Sequence, residues 1–481
     1  MRRAGITLAA AIAVFAAAAL AQDSETQTKQ FDDGGVYEGS FVDGLRHGTG
    51  TYRLPNGFEY TGDWRAGEIE GKGVARYPSG GVYEGQFSKG KPEGMGKIVL
   101  ADGSVYEGSW LDGKITGRGV IQYATGARYE GSFRNALHHG RGVMTTPDGY
   151  RYEGDWVNGT EEGNATITYP DGSVYEGRVA NGKRSGQGTL TMSDGLIYAG
   201  MWREGQQDGQ GKLTLPNGDV YEGALVDGRR DGQGRETYAS GDVYEGNFDN
   251  DQRHGQGVFI GADGYRLEGN WVAGQIDGQG RVTYPDGSVY EGEIRGDLAN
   301  GRGRTVYPDG STYEGDWVDG VIEGTGTATY SNGTVYSGDF ANARYDGQGT
   351  ITYADGYTYT GDWKDNRRHG SGTATYADGA VYTGDFREDQ RHGQGRITMP
   401  DGFTYEGGWS DGRFEGDGLA TYSNGDVYEG RFEDGKRQGP GTLRYTSGEV
   451  VSGDWISGVL TTATPVSVDK EKDPAPETTG D

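Results

Sequence analysis

Six histidines are the first side chains in this sequence that could bind a metal or move a proton: His47, His138, His139, His254, His369 and His392. A metal needs ligands that converge on one point, and a general base needs a reacting group within hydrogen-bond reach. All but His138 occupy one position of a 23-residue period, so copies stand at least 23 residues apart. The spacing predicts a recurring loop position ahead of a strand, with His138 beside it, and no catalytic or metal-binding histidine. Glu38 is the second candidate, since its counterpart is Glu in thirteen of nineteen repeats. Two carboxylates cleave a glycosidic bond only when they face each other across one pocket. A column on one side of a sheet forms a ladder instead, read here as a solvated acidic stripe. The recurring Asp-Gly pairs lack the clustered oxygen ligands of a calcium loop and are read as turns. Neither a phosphate-binding glycine loop opening a helix nor a kinase signature is present. The expectation is a protein with no enzyme activity, no cofactor and no metal.

Those residues are positioned by a repeat. Stepping 23 residues from Tyr37 lands on tyrosine at Tyr60, Tyr83 and onward to Tyr428, with Leu267 and Val451 as the exceptions, giving nineteen copies without insertion or deletion. A fixed period of this length marks an array whose units bury surface only against their neighbours. Each unit carries two strand-like pieces, Val36 to Val42 and Gly50 to Leu54 in the first. Tyr37, Gly39 and Phe41 share one parity, as do Gly48, Gly50, Tyr52 and Leu54, so one face is aromatic with glycine gaps and the other is polar. Glycine beside a ring leaves room for that ring to lie across the next strand. The turn column of Gly34 is glycine in all nineteen repeats, preceded by Asp, Asn, Ser or Thr, and eight of the thirteen prolines stand just ahead of that pair. Proline presets the first turn residue and glycine takes the left-handed one.

All nine tryptophans fall in the column of Phe41: Trp64, Trp110, Trp156, Trp202, Trp271, Trp317, Trp363, Trp409 and Trp455. They recur every second repeat, except that three repeats separate Trp202 from Trp271, as if a two-repeat block were copied in two phases. These rings are the candidate partner-binding aromatics. The competing reading is that they are the core, because a single-layer array has little else to bury.

The 481-residue chain has 93 glycines and 33 tyrosines, no cysteine, and a formal charge of −27. Residues 1–21 open with Arg2 and Arg3, continue through an apolar run from Ile6 to Leu20, and end in small residues. That pattern predicts a secretory signal peptide cut after Ala21, shorter than a bilayer-spanning helix. Its removal would move the formal charge to −29. Bacterial export to the periplasm or beyond is expected, with stability coming from repetition and not from disulfides. Residues 22–32 read as a polar leader, 33–460 as the array, and 461–481 as a disordered tail. After Trp455 the hairpin's second strand is missing from the pattern, which predicts an open edge able to pair with another chain.

The pattern Tyr-Glu-Gly-x-(Trp/Phe)-x-x-Gly-x-x-x-Gly-x-Gly with an Asp-Gly turn resembles the MORN (membrane occupation and recognition nexus) repeat over about residues 33 to 460. Departures are local: Val179, Leu225 and Ile294 replace the large ring, and Gly261 stands where Tyr or Leu is usual. The resemblance implies an all-β fold, an elongated single-layer antiparallel meander of tandem 23-residue hairpins. At ~4.8 Å per strand it would extend on the order of 180 Å. It also implies a scaffold that binds protein partners or associates with itself. Phospholipid binding has been proposed for some members.

Three partner classes follow. The first is protein of the cell envelope, with self-association through the ends of the array. The second is a glycan such as peptidoglycan, stacking on the aromatic column. Lipid membrane comes third, since the acidic balance opposes anionic surfaces, and nucleic acid is repelled on the same ground.

Overall fold

The computed structural model describes residues 26–464. The expected signal peptide and most of the expected tail lie outside the described residues. Among the described residues there are 39 strands and no helix, and every recorded pairing is antiparallel between neighbours in sequence, the meander that the repeat predicts. The chain divides into two units, one ending at Pro216 and one beginning at Asn217.

The first hairpin shows why the sequence folds this way. Strand Val36–Val42 turns through Asp43 and Gly44 into strand Leu45–Arg53. Both turn residues have positive φ, 52° and 78°, the two-residue turn that matches strand twist and favours Asp-Gly or Asn-Gly. The second strand therefore begins at Leu45, where the sequence reading had a loop running to Gly50. Register runs Tyr37↔Tyr52 and Gly39↔Gly50, then jumps to Phe41↔Arg46. The two extra residues form a bulge, and an even number keeps Arg46 on the aromatic face with Phe41. The next connection is a tight turn in which Gly57 N donates to Leu54 O (3.1 Å) and Leu54 N to Phe58 O (2.8 Å). Gly57 sits at φ 92°, and Asn56 Oδ1 accepts Phe58 N at 3.0 Å, the side-chain turn expected of Asn or Asp here.

Two segments outside the recognisable period also pair. Strand Gln27–Gln30 sits against Val36–Val42, inside the stretch read as a leader. At the other end Val459–Thr464 completes the last hairpin against Val450–Ile456. The strand read as missing is present, with Leu460 opposite Trp455, so residues 461–464 belong to the array and not to the tail. Both terminal strands are of the second kind in the hairpin: Gln27 pairs with Gly39 as Gly50 pairs with Gly62.

The core is a layer one side chain thick. Tyr37 lies across the glycine pair of its own hairpin, and a Cβ added to Gly50 would stand 2.5 Å from Tyr37 Cε2. Its hydroxyl donates to Ser40 O (3.1 Å) at the bulge, and Tyr83 and Tyr106 repeat the bond to Gln86 O and Ser109 O. Where the large-ring column holds Trp or Phe, the tyrosine touches the ring four residues on and the ring of the following repeat, edge to face. Tyr37 meets Phe41 and Trp64 at 5.1 Å each, and Tyr83 meets Phe87 at 5.0 Å and Trp110 at 4.9 Å. Such pairs add about 0.5–1.5 kcal/mol each beyond area burial. In the second unit this chain of rings runs from Tyr290 to Trp455 through every intervening repeat.

Candidate functional site

The structure places the tryptophans inside that layer. Eight are buried, from Trp64 to Trp455, and Trp317 is half-buried. Six donate through Nε1 to the carbonyl of the glycine fourteen residues earlier, as Trp64 to Gly50 (3.2 Å) and Trp409 to Gly395 (3.0 Å). Their faces are covered by a column absent from the sequence reading, the residue opposite the large ring. It is Arg46, Arg184, Arg391 and Arg437 over Trp64, Trp202, Trp409 and Trp455, with guanidinium carbons 3.9–4.3 Å from the ring centres. Each of these arginines also donates to the turn carbonyl 21 residues on, as Arg437 to Gly458 O at 2.8 Å. Cation–π contact and hydrogen bond together lock the lid over the indole. In other repeats the lid is a ring: Tyr345 stacks on Tyr336 at 3.6 Å and Phe414 on Tyr405 at 3.9 Å. As candidate partner-binding rings the tryptophans thus lie beneath other side chains.

The histidines are not in loops. They sit within the second strand of the hairpin, where positions 138 and 139 face opposite ways. His138 is a lid, stacked on Tyr129 at 3.7 Å and bonded through Nε2 to Tyr123 Oη at 2.9 Å. Burial pulls its pKa down to about 4. His47 and His139 use Nδ1 to accept the first amide of the next two-residue turn, from Ala66 and Asn158 at 3.4 and 3.5 Å. Glu70 and Glu323 accept the equivalent amides from Lys89 and Asn342 at 3.0 Å each. The column thus holds hydrogen-bond acceptors that clip one hairpin to the next, which explains why Glu and His interchange there. No cluster of three His, Cys, Asp or Glu side chains fit to hold a metal occurs among the described residues.

On the polar face the Glu38 column is part of a ladder of ion pairs: Arg235 with Glu245 (2.8 Å) and Arg281 with Glu291 (3.3 Å). Hydroxyl pairs take the same place elsewhere, Thr350 with Thr360 and Thr373 with Thr383. These rows flank shallow grooves over the glycines. One of about 830 Å³ in the first unit is bordered by Met95, Glu107, Arg118, Glu130, Arg141 and Glu153. One of about 690 Å³ in the second is bordered by Gln256, Glu268, Arg281, Glu291, Arg304 and Glu314. Both are floored by glycines and walled by a row of Glu from one column; Arg118 and Arg141 stand in the column of Thr49 in the first groove, and Arg281 and Arg304 in that of Thr51 in the second.

The MORN-repeat profile matches the chain eighteen times in succession, from residues 37–58 to 428–450. The chain is a MORN-repeat protein. No curated protein matches it. Among solved structures it is similar to the SAS-4 (dCPAP) TCP domain of Drosophila melanogaster, solved with a proline-rich motif of Ana2, at 16% identity over 32% of this chain and 85% of that one, TM-score 0.22. The TCP10 domain of Danio rerio CPAP gives 16% identity over 46% and 95%, TM-score 0.20. The virginiamycin B lyase of Staphylococcus aureus gives 10% over 66% and 95%, TM-score 0.10. At such scores none carries a partner or an activity across to this MORN array. MORN repeats explain the Tyr-Glu-Gly and Gly-x-Gly columns. They leave open the arginine lids and one polar network in the second unit. There Glu236 stands in a core column, bonded to Arg230 Nη1 at 2.5 Å and to Tyr238 Oη. Arg253 donates to the same Tyr238 hydroxyl.

Proposed function

We propose that this protein is a non-catalytic scaffold, exported by a bacterium and held in the periplasm or beyond, that binds protein partners of the cell envelope along its polar face. The observation that carries the reading is the groove just described: a floor of glycine pairs, broken at Ala165 opposite Gly154, between rows of Glu and Arg whose placement differs from the first unit to the second. A partner lying across several repeats meets a fixed geometry and alternating rows of opposite charge, Arg118 and Arg141 beside Glu107 and Glu130 in the first unit. Interleaved charges of both signs favour a partner of complementary pattern and disfavour uniformly charged polymers. Export rests on the charged-then-apolar composition of residues 1–21, and is tested by sequencing the N-terminus of the mature protein, expected at Gln22. End-to-end self-association is not part of the proposal. A head-to-tail junction would place two second-kind strands side by side, out of the alternation that buries each ring.

The test of partner binding is photo-crosslinking from position Met95 in an envelope fraction. A discrete protein adduct that disappears with Arg118→Glu/Arg141→Glu supports the reading. The same adducts from the charge-reversed chain, or none from either, would sink it.

A further inference from the structure

Among the described residues the exposed aromatic side chains are not the tryptophans but tyrosines at the first position of the Asp-Gly or Asn-Gly turn, the column of Phe31 and Leu54. In the second unit this column is tyrosine in five successive repeats, Tyr284, Tyr307, Tyr330, Tyr353 and Tyr376. The first four are 37–41% exposed. Successive members lie two strands apart, about 10 Å, too far to stack on one another; Tyr284 and Tyr353 have a neighbouring ring in Tyr265 and Tyr357, and Tyr307 and Tyr330 at the centre of the row offer their rings to a flat apolar ligand face. Between the first four the surface drops to small buried polar residues, Ser288, Ser311 and Thr334, so these rings form separate platforms, while Tyr357 bridges Tyr353 and Tyr376 at 5.5 and 5.4 Å. Each ring is followed two residues on by an acceptor: Asp286, Asp309, Asn332 or Asp355. Tyr330 is held by a hydrogen bond to Tyr345, itself stacked on buried Tyr336. A recess of about 690 Å³ opens between Tyr307 and Tyr330, floored by Ala328 and bordered by Asp309 and Asn366.

We propose that this row binds a neutral, extended β-1,4-linked glycan, with one sugar ring of each disaccharide stacked on one tyrosine. The repeat length of such a chain, set by two sugars related by a half-turn, is close to the two-strand spacing. A pyranose with equatorial substituents offers one flat C–H face to a ring and hydroxyls at its rim to Asp309 and Asn366. Aspartates beside the rings disfavour an anionic polysaccharide, and rings separated by polar gaps fit sugars better than a contiguous protein hot spot. This site is on the face opposite the polar groove and stands independently of the protein-partner reading.

Titration of the full array with chitohexaose and with cellohexaose tests it and separates acetamido from plain glucose chains, with maltohexaose, whose α-linkage curls the chain, as the control. At least one β-1,4 hexasaccharide is expected to bind, more tightly than its disaccharide, while maltohexaose does not. Tyr307→Leu/Tyr330→Leu should weaken binding by about tenfold or more. The column already carries leucine at Leu54, Leu100 and Leu215, so the variant keeps the hairpin. Tyr77→Leu in the first unit should leave the affinity unchanged. The proposal is overturned if neither β-1,4 hexasaccharide binds at millimolar concentration, if maltohexaose binds equally well, or if the double variant binds like the parent. A protein adduct trapped from Tyr330 in place of a glycan would also overturn it.

Discussion

The same turn column reads differently in the two units. In the first, Tyr77, Tyr123 and Tyr169 alternate with Leu100, Thr146 and Met192, and all three tyrosines are half-buried. In the second, five tyrosines follow without interruption, and four of them stand out into solvent. The hairpins beneath are alike in register and bulge position, as Gly108↔Gly119 followed by Trp110↔Ile115 in one and Gly315↔Gly326 followed by Trp317↔Ile322 in the other. The lid column also diverges. It is Ile69, Pro92, Ile115, His138 and Glu161 over much of the first unit, and Arg230, Arg253, Arg368, Arg391 and Arg437 recur in the second. The Tyr-Gly layer therefore fixes the frame, while lid and rim are free to change with the ligand or with the local packing.

The largest effect that could break this division compares two tyrosines six residues apart. Tyr313→Ala should destabilise its hairpin by about 3–5 kcal/mol, because it empties a buried ring site. Tyr307→Leu, at the rim, should cost less than about 1 kcal/mol. Hydrogen exchange of amides across Thr312–Thr329 reads both, and equal effects would mean that rim and frame are not distinct.

A smaller effect concerns the lids. Arg230→Met leaves Glu236 nearly buried without its cation, and should cost about 2 kcal/mol. Adding Glu236→Leu, the residue that the first unit has at Leu190 and Leu213, should restore most of it. Failure of that rescue would show that the second unit depends on the polar network for more than filling space.

In the first unit the corresponding probe is pH. Above about 6.5 His138 is neutral both folded and unfolded; as pH falls toward about 4 the unfolded chain takes a proton that the buried ring refuses. Stability should therefore decline in that window through this residue, and His138→Ile should remove that part of the decline in a thermal melt. An unchanged pH profile would contradict the buried, stacked imidazole. The smallest effect is a gain. Ala343 holds φ 60° in a two-residue turn where most repeats have glycine, so Ala343→Gly should stabilise its hairpin by about 0.5–1 kcal/mol.

Much of the frame was legible in the sequence because it depends on period and parity. The 23-residue step, the Tyr-Gly face and the Asn-Gly turn at Gly57 follow from those alone. The second turn was legible too, in Asp43-Gly44, Asp112-Gly113 and Asn158-Gly159, yet the residues after it looked like a loop because the bulge at Gly48 interrupts alternation. That misplacement put His47 and His138 in one loop, although they lie in strands and face opposite ways. The last strand is hidden in the sequence because Thr462 and Thr464 stand in the columns of Gly48 and Gly50. What parity could not reveal is which rings cover which. The tryptophans share a face with the rim tyrosines, and only packing in three dimensions shows that arginines and tyrosines cover the former and leave four of the latter more than a third exposed.

The central claim, that the tryptophan and tyrosine rings beneath the lids form a dry structural layer and not a ligand groove, is tested most directly by tryptophan fluorescence of the folded chain with iodide as quencher. The account predicts blue-shifted emission that iodide barely quenches and that β-1,4 hexasaccharides do not shift. Emission at the position of water-exposed indole, readily quenched, would contradict it.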